Sequence, residues 1–281
     1  MSWVAELIRT IIEARPPWQF QLSRMLSNKQ KIVRPKLKLP KENDSKTMVK
    51  AIFFDFNGVI IDDETIQMQA YREVLRGHDI ELTEESYMDA LGMDDRTFVR
   101  AMFERAKKPL TDSVWESVLE AKTAEHRKMI ADELPLFPGV LTFLKNTSRH
   151  FSLGLVSMAN QVEVGYVFQR ANLTPLFSVI VTAEHATACK PDPHCYVTGL
   201  ERLNEKRRRE RLLPLLPHEC LAIEDSPPGI QSARAAGMRT LGITNTVTEA
   251  ALRAAGADVV TASLADWNVD AVTLVYSNSH H

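Results

Sequence analysis

Val49–Phe54 is apolar except for Lys50, and the run ends on Asp55-Phe56-Asn57-Gly58. A short apolar run stopped by polar residues and a glycine predicts a buried strand that turns sharply. Helical spacing follows over Gln67–Arg76, Glu84–Leu91, Arg96–Ala106 and Val114–Ala131, punctuated by Gly92 and Pro109. After Pro138-Gly139 the pattern alternates. Val140–Asn146, Val162–Ala171, His194–Leu203, Pro228–Ala236 and Thr248–Ala255 read as helices. Phe151–Ser157, Val179–Thr182, Cys220–Ile223, Thr240–Ile243 and Val259–Val260 read as strands between them. Repeated strand–helix units imply an α/β fold with a parallel sheet covered on both faces. The expected organisation is a core of residues 48–64 and 135–270, an inserted all-helical domain over 65–134, and a tail over 271–281.

Residues 1–47 read as an extension. Trp3, Val4, Leu7, Ile8, Ile11 and Ile12 recur at helical spacing until Pro16-Pro17, and a basic stretch follows. Three readings stand: a segment packed on or hanging from the domain, a helix that contacts a partner or membrane surface, and an organelle-targeting segment. Glu6, Glu13, Glu42 and Asp44 count against the last. Met48 would serve as a start for the compact domain, and His280-His281 read equally as native residues or a tag remnant.

Charge sharpens the division. Residues 1–50 hold 11 Lys/Arg against 4 Asp/Glu, and the remainder holds 23 against 32. An acidic body argues against nucleic-acid binding. With 281 residues, 44% of them hydrophobic, the chain can bury a full core. Cys189, Cys195 and Cys220 form no CxxC pair, so a reducing, cytoplasmic setting is the default. No run is long enough for a transmembrane span. Glu205–Arg211 holds five basic residues and reads as a solvated helix face.

Four polar clusters each follow an apolar strand: Asp55-Phe56-Asn57-Gly58, Ser157, Lys190-Pro191-Asp192-Pro193 and Glu224-Asp225-Ser226. Each has an ordinary reading by itself. Asp55 and Ser157 could be helix caps, Gly58 a turn residue, Lys190 a surface lysine and Glu224-Asp225 a turn start. In a parallel sheet, however, strand ends converge on one crevice. Together the clusters offer a nucleophile, a hydroxyl, a cation and an acidic metal site, which suits phosphoryl transfer.

In this order the clusters resemble the haloacid dehalogenase (HAD) superfamily, and most closely its phosphoglycolate phosphatase-like and beta-phosphoglucomutase-like subgroup. The likeness runs roughly from Val49 to Asp266 and leaves out the N-terminal extension. DxDG(T/V) falls on Asp55–Val59, the second-motif Ser/Thr on Ser157, the KPxP lysine on Lys190, and EDSxxG on Glu224–Gly229. The resemblance implies a Rossmann-like core with a helical cap inserted after the first motif. It also implies Mg2+ and an aspartyl-phosphate intermediate. Asp55 would attack phosphorus and ligate Mg2+, with the Asn57 backbone carbonyl, Asp225 and Glu224 completing the site. Ser157, with Met158 and Ala159 beside it, would hold a phosphoryl oxygen near Gly58, and Lys190 would offset negative charge. The implied function is a Mg2+-dependent phosphatase acting on a small phosphorylated metabolite.

Two departures matter. The family's second aspartate is Asn57 here, and an amide cannot exchange a proton as a general acid/base does. Three explanations stay open: a slow or selective enzyme with another proton carrier, a phosphometabolite-binding or sensor protein, or an engineered substitution. The histidine of mutase-like members is matched by Gln67, which disfavours the alternative of a sugar-phosphate mutase. On the expected cap, Arg96 is a candidate for a substrate anion and Glu64 for the hinge or substrate contact. His185 is the nearest candidate relay by sequence, although it reads more simply as a loop histidine. Cys189 shows no sign of reactivity.

Overall fold

Residues 48–277 are described by a computed structural model. The features expected over residues 1–47 and at the terminal histidines lie outside the described residues. Among the described residues, six strands form one sheet: β1 (Ala51–Phe54), β2 (Ser152–Val156), β3 (Val179–Val181), β4 (Cys220–Glu224), β5 (Arg239–Ile243) and β6 (Val259–Thr261). Their order is β3-β2-β1-β4-β5-β6, and every neighbouring pair is parallel.

The sheet is apolar on both faces because side chains alternate along each strand. Ile52 and Phe54 of β1 join Leu153, Leu155, Leu221 and Ile223 on one side. Ala51 and Phe53 join Val156, Cys220 and Ala222 on the other. Room for Phe53 comes from two glycines. A Cβ on Gly154 would lie 2.5 Å from the Phe53 ring, and one on Gly199 would lie 3.1 Å from it.

Before the second strand come α1 (Glu64–Arg76), α2 (Glu84–Met88), α3 (Asp95–Arg105) and α4 (Asp112–Met129). They enclose an apolar cluster of their own, built on Tyr71, Leu75, Phe98, Val99, Met102, Phe103 and Val118. The helices packed with the sheet are α5 (Val140–Thr147), α6 (Gln161–Arg170), α7 (His194–Arg209), α8 (Pro227–Ala235), α9 (Glu249–Ala254) and α10 (Val269–Ser277). The described residues, 48–277, all fall in a single compact unit.

Several helices start earlier than their apolar spacing predicts. Asp94, Thr111, Asn160 and Ser226 each accept a hydrogen bond from a backbone N–H in the first turn. Capping fixes the start one residue ahead of the helix, whereas periodicity becomes visible only at the first buried side chain. The same bias puts Glu64 inside α1 rather than before it. At the other end, α7 continues past Leu203 to Arg209, with Lys206, Arg207, Arg208 and Arg209 in its last turn. Cations there suit the negative end of the helix dipole.

The expected tail from residue 271 is corrected. It is largely helix α10, which buries Val272 and Tyr276 against the core. The Tyr276 hydroxyl donates to the Thr240 carbonyl at 2.9 Å.

Candidate active site

Phe54 of β1 is level with Leu155 on one side and Ile223 on the other. Asp55 therefore leaves the sheet beside the ends of β2 and β4, and its N–H still donates to Ile223 O at 3.0 Å. The chain then folds back on itself. The amides of Val59, Ile60 and Ile61 all donate to Phe56 O, and Gly58 N–H donates to Ile61 O at 2.9 Å. Phe56, Val59, Ile60 and Ile61 are fully buried, so the loop is anchored by its apolar side chains. Gly58 is required twice over. Its φ is +74°, and a Cβ there would lie 1.8 Å from Asp225 Oδ2.

Lys190 reaches under this turn. Its ammonium lies 2.8 Å from Asp55 Oδ1 and 2.7 Å from Glu224 Oε1. Burial works against its charge, but Asp55 and Glu224 outweigh that and hold its pKa well above the usual lysine value. Tyr196 donates a further hydrogen bond to Glu224 Oε1, at 2.5 Å. Gly229 closes over the same carboxylate, since a Cβ on it would lie 1.9 Å from Glu224 Oε2.

Asp55, Glu224 and Asp225 each bring a carboxylate oxygen within 4.8 Å of the others. Burial and then the Asp55 charge push Glu224 up to about 7. The same causes hold Asp225 well above the ordinary carboxylate range, although Thr246 donates to it. Three crowded carboxylates beside one ammonium cannot all ionise cheaply in a low-dielectric site without a further cation. An oxygen-only donor set of this kind fits a hard divalent cation such as Mg2+.

That arrangement has a pH signature. Groups whose folded pKa is raised stabilise the fold below their unfolded pKa, and this stability is lost as pH rises through the folded value. For Glu224 the window runs from 4.5 to about 7, and Asp225 acts in the same sense. Glu163, held down to about 2, acts only below 4.5. His185, shifted the other way, is weakly enclosed and opposes little. The metal-free protein is therefore expected to melt several degrees lower at pH 8 than at pH 5.5, and Mg2+ to recover more of that loss at pH 8. Thermal melts with EDTA and with Mg2+ check both signs. A melting temperature that rises with pH in EDTA contradicts the charge crowding.

The remaining expected residues divide. Ser157 is buried, with its Oγ accepting from Ala159 N–H at 3.0 Å, so Met158 and Ala159 form the crevice wall above it. Glu64 lines the crevice with Asp55, Asn57 and Lys190. Arg96 is placed elsewhere: its guanidinium stacks over the Trp115 ring at 4.7 Å from the centroid, and it is not among the residues lining the crevice. His185 is also turned away, with its Nδ1 accepting from Thr182 N–H at 3.1 Å to cap a local turn. The Cys189 Sγ accepts from Asp94 N–H at 3.4 Å, tying its loop to the start of α3.

Asn57 is embedded in a network absent from the sequence-based expectations. Its Nδ2 donates to both oxygens of Asp63, at 2.8 and 3.0 Å. His126 Nε2 lies 2.8 Å from Asp63 Oδ2, and Gln67 Nε2 donates to the same oxygen at 3.1 Å. Gln67 also donates to Glu163, which receives Lys122 at 2.8 Å. Lys122 reaches Asp95 at 3.2 Å, and Asp95 accepts from Asn160 at 2.8 Å. Asp63, His126, Lys122 and Glu163 are all buried. Burial disfavours the Glu163 charge, yet Lys122 overcomes it and holds the carboxyl down to about 2. The network stitches α1, α3 and α4 to α6 across the crevice. Its one sequence-level trace is a set of charged residues inside otherwise apolar helix faces.

Comparisons with known proteins give the family and the fold. A family model for haloacid dehalogenase-like hydrolases matches residues 49–237. The chain is 29% identical over 214 residues to a phosphorylated carbohydrates phosphatase of Thermotoga maritima, covering 74% of this chain and 92% of that protein. It is 26% identical over 195 residues to the fructose-1-phosphate phosphatase YqaB of Escherichia coli, covering 68% of this chain and 95% of that protein. Among solved structures, a beta-phosphoglucomutase from Clostridium difficile shares the fold with a TM-score of 0.70 at 20% identity, covering 82% of this chain and 97% of that one. The converging strand ends and these likenesses agree: the chain belongs to the haloacid dehalogenase-like hydrolases.

Proposed function

We propose that this protein is a Mg2+-dependent phosphatase of a small phosphorylated sugar, working through a phosphoryl group carried on Asp55. The observation behind this reading is the position of Asp55, between the Lys190 ammonium at 2.8 Å and the acidic pair Glu224-Asp225. Two relatives named as phosphatases of phosphorylated carbohydrate and of fructose 1-phosphate support the substrate class.

An Asp55 oxygen attacks phosphorus as the ester P–O bond breaks, and the sugar leaves with a proton on its oxygen. Water then attacks the same phosphorus, the Asp55–phosphorus bond breaks, and phosphate departs. Lys190 fixes the Asp55 carboxylate and faces the negative charge of the phosphoryl oxygens. Met158 and Ala159 wall the phosphoryl pocket, and Ser157 fixes that loop from beneath. Asp55, Asp225, Glu224 and the Asn57 backbone carbonyl would hold Mg2+, which neutralises phosphoryl charge when bound. Helices α1–α4 act as the cap. Gln67 contributes an acceptor on that side: its Oε1 is buried with no hydrogen-bond partner among the described residues, and the residue lines the crevice, as befits a site for a substrate hydroxyl.

Phosphate release from fructose 1-phosphate and other sugar phosphates, with Mg2+ and with EDTA, tests the reading. Release with Mg2+ alone is expected. Silence across the panel in Mg2+ overturns it.

A further inference from the structure

Asn57 cannot carry a proton, so the reaction proposed above needs another donor and acceptor. The orientation of its amide deepens the problem. With Nδ2 committed to Asp63, the Asn57 side chain is left with its Oδ1, which takes no hydrogen bond among the described residues. Asp63 and His126 are buried and do not line the crevice.

The acidic groups that do line it are mostly engaged. Asp55 is the nucleophile, and Asp225 belongs to the acidic cluster. Asp94 caps α3 through Thr97 N–H. Asp95 accepts from Tyr71, Lys122 and Asn160. Glu163 accepts from Lys122, Thr123 and Gln67. Glu64 differs. Half-buried in the first turn of α1, it takes one side-chain hydrogen bond, from the Tyr87 hydroxyl to Oε2 at 2.8 Å. Its Oε1 has no hydrogen-bond partner among the described residues.

We propose that Glu64 is the catalytic residue that shuttles the proton in both half-reactions. In the first, the Glu64 carboxyl gives its proton to the sugar oxygen as the ester P–O bond breaks and the bond from Asp55 to phosphorus forms. In the second, the Glu64 carboxylate takes a proton from water as the water oxygen bonds to phosphorus and the Asp55 bond breaks. The proton lent is recovered, and Glu64 ends as it began. This inference rests on the phosphatase reading.

The surroundings suit the task. Burial, followed by the Asp63 charge, pushes the Glu64 carboxyl up to about 7; Asp55 adds to this, while Tyr87 and Lys122 oppose it. Asp225 also faces it electrostatically. A carboxyl balanced near neutrality can both give and take a proton. Tyr87, from α2, fixes its orientation, so shuttle and cap move together.

The test compares wild type with Glu64→Gln in Mg2+, on fructose 1-phosphate and on p-nitrophenyl phosphate. On the sugar ester kcat is expected to fall about 10²–10⁴-fold. Nitrophenolate leaves without a proton, so the variant should keep a rapid burst of nitrophenol followed by slow turnover. The wild-type kcat/KM should fall as pH rises through a single ionisation that is missing in the variant. Glu64→Asp should recover part of the rate, and unchanged melting curves exclude misfolding. Retained sugar-phosphate turnover, a rise in KM alone, or loss of the nitrophenol burst overturns the role of Glu64 and leaves the phosphatase reading intact. Wild type that releases no phosphate from either ester in Mg2+ overturns both.

Discussion

Asp55→Asn is expected to lower phosphate release by about 10⁶-fold in kcat, the scale on which removing a covalent nucleophile acts. The amide keeps the shape of the carboxylate but has no electron pair basic enough to bond phosphorus. The fold should tolerate it. Asp55 is the second-largest cause, after burial, of the upward shifts of Glu224 and Asp225. Neutralising it relieves that repulsion, while Lys190 keeps Glu224 at 2.7 Å. The variant should thus be inactive and melt at least as high as wild type in EDTA, but gain less from Mg2+. Phosphate assays and paired melts separate the two effects. Residual turnover within tenfold of wild type would remove Asp55 from the chemistry.

Lys190→Met is expected to act on stability as strongly as on rate. The ammonium is almost fully buried and sits between two carboxylates, at 2.8 and 2.7 Å. Breaking a buried pair by removing one partner costs about 3–5 kcal/mol, because the other charge stays behind. At this size about 1 kcal/mol corresponds to 2–4 °C in Tm, so the fall should be plain in a melting curve. Part of it should be recovered at low pH, where Glu224 and Asp225 take up protons. Lys190→Arg should recover little, since a planar guanidinium does not fit a seat shaped for a compact ammonium. Urea denaturation at pH 5.5 and pH 8 checks this. A loss under 1 kcal/mol at pH 8 would mean that the carboxylates find another counter-charge.

The sheet and the crevice at the ends of its strands were legible in the sequence for a physical reason. Parallel strands buried on both faces are short apolar runs, and topology alone places the polar residues at the end of each run along one edge. Asp55, Glu224 and Asp225 needed no more than that, whereas Lys190 lies in the loop after β3 and was picked out by its KPxP pattern. Helix starts were read late at Asp95, Asp112 and Gln161, because caps are polar and periodicity shows only buried positions. Arg96 was misplaced because stacking on Trp115 depends on a helix face not visible in a list of charges. The Asp63–His126–Gln67 network was missed for a deeper reason. Asp63 and Gln67 are neighbours on one helix turn, but His126, Lys122 and Glu163 meet them only when α1, α4 and α6 pack, and a buried charge cannot be told from a solvated one before its partner is known.

Asn57 and Gly58 have a chemical consequence beyond catalysis. An Asn–Gly pair is fragile, because the glycine amide nitrogen readily closes on the asparagine side chain and expels ammonia, leaving aspartate or isoaspartate. Here Gly58 N–H is held by Ile61 O at 2.9 Å, and the Asn57 amide is gripped by Asp63. The folded loop preserves its own covalent structure and ages only as fast as it opens. Damage through that route would place a carboxylate against Asp63, across the 2.8 Å now bridged by an amide hydrogen. The shelf life of the nucleophile loop is therefore set by the same buried hydrogen bonds that shape it.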